Sequence, residues 1–156
     1  GPVYLRLGRP SVPIFTSLEE KFEIGKAIKM NDGADVTIVA TGHLVYEALN
    51  AAYALEEEGI KADVLNIHTI KPLDDKAILE SVAKTGCVVS AEEHQMNGGL
   101  GDSVAQLLAR MHPAPIEFVA VNDSWGQSGT PAQLMDHYNL NEAAVIKAVK
   151  NVIKRR

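Results

Sequence analysis

The sequence predicts an α/β fold in which a parallel sheet is covered by helices on both faces. Three observations carry that expectation. Short apolar runs alternate with amphipathic stretches along most of the chain, turn residues punctuate nearly every unit, and no fixed-period repeat of the solenoid kind is present. At 156 residues the chain is the size of one domain and is long enough to bury a core.

The elements follow in order. Val3–Leu7 (Val-Tyr-Leu-Arg-Leu) reads as a strand that begins abruptly, and the first residue is Gly1 rather than methionine, so a processed or cut start with something missing upstream is expected. Pro10 and Pro13 make a connector that suits neither helix nor central sheet, which places a domain boundary there. A short strand is expected around Phe22–Ile28, closed by Asn31-Asp32-Gly33, and Val36–Ala40 is a continuous apolar run of the buried-strand kind. Thr41-Gly42-His43 opens a helix that runs to about Glu58, with Leu44, Ala48, Ala51, Ala52 and Leu55 at helical spacing and Gly59 as its stop. The unit then recurs as strand Ala62–Ile67 with helix Asp74–Lys84, and as strand Cys87–Ala91 with helix Leu100–Met111. Strand Ile116–Val121 follows Pro113 and Pro115, and two helices, Pro131–His137 and Asn141 to about Lys154, complete the chain.

Composition excludes several partners. A formal charge of -5 provides no basic field for a nucleic-acid backbone, and the one basic cluster, Lys154-Arg155-Arg156, lies at a chain end. No apolar run approaches the ~18 residues of a membrane span. The single cysteine, Cys87, sits in an apolar run and reads as a buried inert thiol; that suits a reducing, cytoplasmic setting.

In an open parallel sheet the carboxyl ends of the strands face helix N-termini, so loop side chains converge along one edge. Thr41-Gly42-His43, His68-Thr69, Glu92-Glu93-His94 and Asn122-Asp123-Ser124-Trp125 all fall there. His43, His68 and His94 have the chemistry of metal ligands, yet no spacing among them guarantees convergence, and histidines satisfied by backbone are the preferred reading. Glu92 and Glu93 are candidate bases, but neighbours leaving a strand point to opposite faces, so at most one faces a cleft. The stretch Asn97-Gly98-Gly99-Leu100-Gly101-Asp102-Ser103 has the outline of a phosphate cradle. Asp102 puts negative charge where an anion would bind. The preferred reading is structural: Gly98 and Gly99 permit a tight turn and Gly101 lets a helix pack closely, while the loop can equally be a contact surface. Arg6 and Arg9 have the chemistry to hold a phosphate or carboxylate, but taken alone the preferred reading of each is a surface ion-pair residue. Ser90 and Ser103 lack the setting of a catalytic serine, so no catalytic residue and no metal site is assigned.

The segment Gly1-Pro2-Val3-Tyr4-Leu5-Arg6-Leu7-Gly8-Arg9 resembles the end of the pyrimidine-binding domain of a transketolase, and the remainder resembles its C-terminal domain. The likeness rests on ADVTIVATGH (Ala34–His43), HTIKPLD (His68–Asp74), AEEHQMNGGLG (Ala91–Gly101) and WGQSGTPAQLMDHYNL (Trp125–Leu140), with the third resembling split, short-chain transketolases most. The domain type is shared with 1-deoxyxylulose-5-phosphate synthase and with the β subunits of 2-oxo-acid dehydrogenases. The resemblance implies a three-layer α/β/α domain with a five-stranded, mostly parallel sheet whose first strand, near Phe22–Ile28, is antiparallel. It implies a division into residues 1–16, the tail of the pyrimidine-binding domain with its linker, and residues 17–156, the C-terminal domain. Thiamine diphosphate and a divalent metal (Mg or Ca) would be bound by missing domains, with none held by this fragment. The parent enzyme would transfer a two-carbon ketol unit between sugar phosphates, and the fragment alone would be inactive. Arg9 falls where the family's arginine binds the sugar phosphate, and Arg6 matches an arginine of the deoxyxylulose synthases. His94, Gly98, Gly99 and Gly101 would make interdomain or intersubunit contacts, with the remaining domains or an N-terminal subunit as partner and a homodimer as the assembly. The alternative enzymes are a 2-oxo-acid dehydrogenase β subunit, against which the LRLGR ending argues, and a 1-deoxyxylulose-5-phosphate synthase; the alternative of another class is a small-ligand-binding regulatory module using the edge near His43 and Gly99.

Overall fold

The computed structural model describes residues 1–5 and 11–156. In chain order the elements are β1 (Ile28–Asn31), β2 (Val36–Ala40), α1 (Leu44–Glu57), β3 (Ala62–Asn66), α2 (Asp75–Thr85), β4 (Val88–Gln95), α3 (Leu100–Met111), β5 (Ile116–Val121), α4 (Pro131–His137) and α5 (Glu142–Ile153). The five strands are ordered β1-β3-β2-β4-β5, with β1 antiparallel to β3 and the other pairs parallel. The antiparallel first strand and the parallel remainder are as the resemblance implied.

The layers follow from alternation along the strands. In β2, Val36, Ile38 and Ala40 pack with α1 and α5, while Val39 between them packs with α2 and α3. Every residue of β2 and β3 is buried, in agreement with the reading of Val36–Ala40 as a buried strand. Ile38, Leu44 and Leu55 are fully enclosed, each contributing about 1.5–3 kcal/mol of hydrophobic stabilisation.

Helix ends agree with their local chemistry. Asp74 accepts from Ala77 N at 3.2 Å to start α2, and Gly86 in the left-handed region ends it. Thr130 and Gln133 form a capping box ahead of α4, with Pro131 at its start, and Asn141 caps α5.

Three boundaries differ from the sequence reading. The first strand runs from Ile28 to Asn31 instead of Phe22–Ile28, because the chain turns at Gly25 and the Ala27 N–H is donated to the Asp74 carboxylate at 3.0 Å, outside the ladder. Gly1–Leu5 forms no strand and lies exposed, with no neighbouring strand to pair with among the described residues; Arg6 and Leu7 lie outside those residues. Strand β4 continues past Ala91 to Gln95, and that extension shapes the site.

Candidate functional site

Parallel registers such as Ala40 with Asn66 and Ala40 with Ala91 bring the carboxyl ends of the central strands to one edge. At that edge β4 is irregular. Ala91 pairs with Val119 and Gln95 with Val121, so Glu92, Glu93 and His94 together oppose a single β5 residue. A bulge of this kind re-aims side chains. Glu92 turns inward and is 2% exposed, whereas Glu93 and His94 face outward. The expected opposition of the two glutamates is therefore observed.

Glu92 occupies the N-terminus of α3. Its Oε2 accepts from Leu100 N and its Oε1 from Gly101 N, both at 2.8 Å, so one buried carboxylate satisfies two helix donors and meets the positive end of the helix dipole. Gly99 makes room for it, and Gly101 for the neighbouring Phe118 and Ser90. A Cβ on Gly99 would lie 2.1 Å from Glu92 Oε2, and one on Gly101 would lie 2.7 Å from Phe118 Cδ1 and 2.8 Å from Ser90 Oγ. Gly98 takes φ +84°, and its N–H donates to Asp102 Oδ2 at 2.6 Å. The cradle outlined by Asn97–Ser103 is thus real, but its donors serve Glu92 and Asp102. Gly98 is exposed, whereas Gly99 and Gly101 are buried.

The histidines have separate duties. His43 Nδ1 is 2.8 Å from Glu93 Oε2, and His94 Nδ1 bonds the Gln95 carbonyl at 2.8 Å. His68 Nδ1 bonds Thr69 Oγ1 at 2.9 Å, its ring lies 4.5 Å from that of Phe22, and its Nε2 is buried without a partner. Satisfaction by backbone therefore describes His94 alone. Among the described residues no group of three or more His, Cys, Asp or Glu side chains gathers to hold a metal. The loop after β5 joins the same edge: Gln95 Nε2 donates to the Ser124 carbonyl at 3.0 Å, Tyr138 donates to the Trp125 carbonyl at 2.8 Å, and the Trp125 side chain stands in solvent.

A second polar cluster, missed by the sequence reading, lies toward the other ends of β2 and β3. Asp63 is fully buried and accepts from Ser81 Oγ at 2.6 Å. Because Ser81 directs its one proton to Asp63, Thr37, 2.7 Å away, must donate to Ser81. Lys84 Nζ lies 3.0 Å from Asp63 Oδ2, and Lys29 Nζ lies 3.2 Å from Oδ1 as an ion pair without an aligned hydrogen bond. Exposed Asp32 closes the cluster, with its Oδ1 2.9 Å from Lys29 and 3.0 Å from Lys84. Hydrogen bonds from Lys29 and then Lys84 lower the Asp32 carboxyl to about 2, and the bond to Asp32 foremost raises Lys29. These groups border a cleft of about 220 Å³, but the ammonium and carboxylate charges there are already paired with one another. The only sequence signal was one acidic residue, Asp63, inside an apolar strand. Cys87 is buried and free, and burial pushes its thiol up, as an inert core residue requires.

The residues of this edge do not fit a diphosphate cofactor. Its binding calls for free backbone donors and for ligands to a divalent metal, and here the Glu92 carboxylate occupies two donors of α3 while Asp102 takes the Gly98 N–H of the loop before it. Arg9, expected to hold a sugar phosphate, and Arg6 lie outside the described residues.

The comparisons agree with this geometry. The family model described as "Transketolase, C-terminal domain" matches residues 25–145. The chain is 44% identical over 157 residues to the 6-deoxy-6-sulfo-D-fructose transketolase subunit SqwH of Clostridium sp. (strain MSTE9), covering 100% of this chain and 48% of that protein. It is 35% identical over 155 residues to the 1-deoxy-D-xylulose-5-phosphate synthase 1 of Geobacter sulfurreducens, covering 96% of this chain and 24% of that protein. Among solved structures, one described as "Split gene transketolase, inactive beta4 tetramer" superposes with a TM-score of 0.90 at 42% identity, over 94% of this chain and 48% of the other. The chain therefore spans about half the length of the transketolase subunits it matches. With the five-stranded mixed sheet, the four sequence segments and the family model all in agreement, the chain belongs to the transketolase C-terminal domain family.

Proposed function

We propose that this chain is the C-terminal section of a transketolase that moves a two-carbon ketol unit between sugar phosphates, and that its own task is structural. Thiamine diphosphate and its divalent metal are held by other sections of the protein. The observation that carries this division of labour is the Glu92 carboxylate seated on Leu100 N and Gly101 N, which commits the helix N-terminus to the fold. Residues 1–16 form the tail of the pyrimidine-binding domain with its linker, and residues 17–156 the C-terminal domain. Arg9 binds the sugar phosphate at the junction. His94 and Gly98 present the contact surface to the neighbouring domain or subunit in a dimer or larger assembly, with Gly99 and Gly101 shaping it from beneath. The setting is cytoplasmic, consistent with a buried free cysteine.

The test is reconstitution. Mixed with the missing sections, thiamine diphosphate and magnesium, the chain is expected to support ketol transfer between sugar phosphates, and by itself to give none. The likeness to a deoxyxylulose phosphate synthase makes that reaction the second reading, so its product is assayed in parallel. Synthase product without ketol transfer would favour that reading, and neither product would overturn both.

A further inference from the structure

We infer that Glu92 is a positioning residue: its buried carboxylate presets the loop Gln95–Gly99, and with it the surface offered to the rest of the protein. The inference rests on the reading of this edge as an interdomain contact, and it assigns that contact a specific anchor.

The loop is tied at four places. Met96 N donates to the Val121 carbonyl at 2.9 Å, Gln95 Nε2 to the Ser124 carbonyl at 3.0 Å, Gly98 N to Asp102 Oδ2 at 2.6 Å, and beneath them Leu100 N and Gly101 N to Glu92 at 2.8 Å. The side-chain ties of Gln95 and Asp102 are exposed, so water can replace them at small cost. The pair made by Glu92 is buried and charged, so no solvent can stand in for it. Geometry makes it directional as well. The bulge in β4 turns Glu92 inward and leaves His94 outward, so the same backbone distortion sets both the anchor and the displayed side chain. Gly99 meets the carboxylate so closely that a Cβ at residue 99 would have to displace it from its seat on α3. The outward surface thereby fixed consists of His94, Asn97, Gly98 and, through Gln95 and Ser124, Trp125.

The test compares wild type, Glu92→Ala and Glu92→Gln. In Glu92→Ala, amide hydrogen exchange at Leu100 and Gly101 is expected to accelerate ~10-fold or more relative to Val39 in the central sheet, as loss of a charge-assisted bond implies. Formate, small enough for the vacated place, should restore protection in that variant and have no effect on wild type. Glu92→Gln keeps the volume and one carbonyl acceptor but turns an amide N–H toward the other helix donor, so it should accelerate one of the two amides, without formate rescue. Binding of either variant to the remaining transketolase sections should weaken ~10-fold or more. Exchange that rises equally at Val39, or partner binding at wild-type affinity, would overturn the inference. A wild-type chain that fails to bind those sections would instead defeat the transketolase reading, leaving the exchange result to judge the anchor by itself.

Discussion

Glu92 and Gly99 share a space that admits only one of two side chains: the carboxylate of the former fills the position that a Cβ on the latter would take, 2.1 Å from Oε2. Gly99→Ala should therefore unseat the α3 cap. A loss of about 2–4 kcal/mol is expected in urea unfolding, combining a displaced buried carboxylate with overpacking. Gly98→Ala, which meets open space but keeps φ +84°, should cost only about 1–2 kcal/mol from backbone strain. Equal losses in the two variants would contradict this account of Gly99.

Ser90 is predicted to be better replaced than kept. Its Oγ is buried without a hydrogen-bond partner beside Gly101, so Ser90→Ala should raise stability by up to about 1 kcal/mol. A clear loss in thermal unfolding would mean that the hydroxyl has a partner.

Asp63 should be far more sensitive than its exposed neighbour Asp32. Removing the buried carboxylate in Asp63→Ala leaves the buried Ser81 hydroxyl without its acceptor and takes from Lys29 and Lys84 one of their two carboxylate partners, and a loss of about 1–3 kcal/mol is expected by chemical denaturation. Asp32→Ala should cost well under that, since the pairs it makes are solvent-exposed.

The pH dependence of the same cluster has a definite sign. The Asp32 carboxyl is lower in the folded chain, about 2 against 3.8, so its contribution is present above 3.8 and fades as pH falls toward about 2. Lys29 is raised above 10.5, so its contribution is complete below 10.5 and is lost as pH rises through the folded value. Urea midpoints across acid pH should fall less steeply in Asp32→Asn than in wild type. Identical slopes would show that the pairs add nothing to stability.

Arg9→Ala in the reconstituted protein should reduce kcat/KM for a sugar-phosphate substrate by about 100-fold, the cost of one bidentate phosphate contact. An unphosphorylated sugar should show little change. Equal loss for both substrates would remove the phosphate role.

The parts of the fold that were legible in the sequence are those governed by local rules. Val36–Ala40 announced itself as a buried strand, Ala62–Ile67 was placed to within a residue, and Asp74, Pro131 and Asn141 marked helix starts. The first strand was misplaced because its start depends on a contact between Ala27 and Asp74, 47 residues apart. Of the site, the opposite orientations of Glu92 and Glu93 and the structural use of the Gly98–Gly101 stretch were readable from strand geometry and glycine spacing. The bulge was not, since it arises from pairing with β5, and without it nothing in the sequence tells which glutamate turns inward. The Asp63 cluster draws on β1, β2, β3 and α2, and no spacing within any one of them discloses it.

Calorimetric titration of thiamine diphosphate with magnesium into this chain, alone and then assembled with the remaining sections, tests the division of labour most directly. The account predicts no heat of binding to the chain alone and saturable binding to the assembly. Saturable binding to the chain alone, lost on replacing residues of the α3 N-terminus, would contradict it.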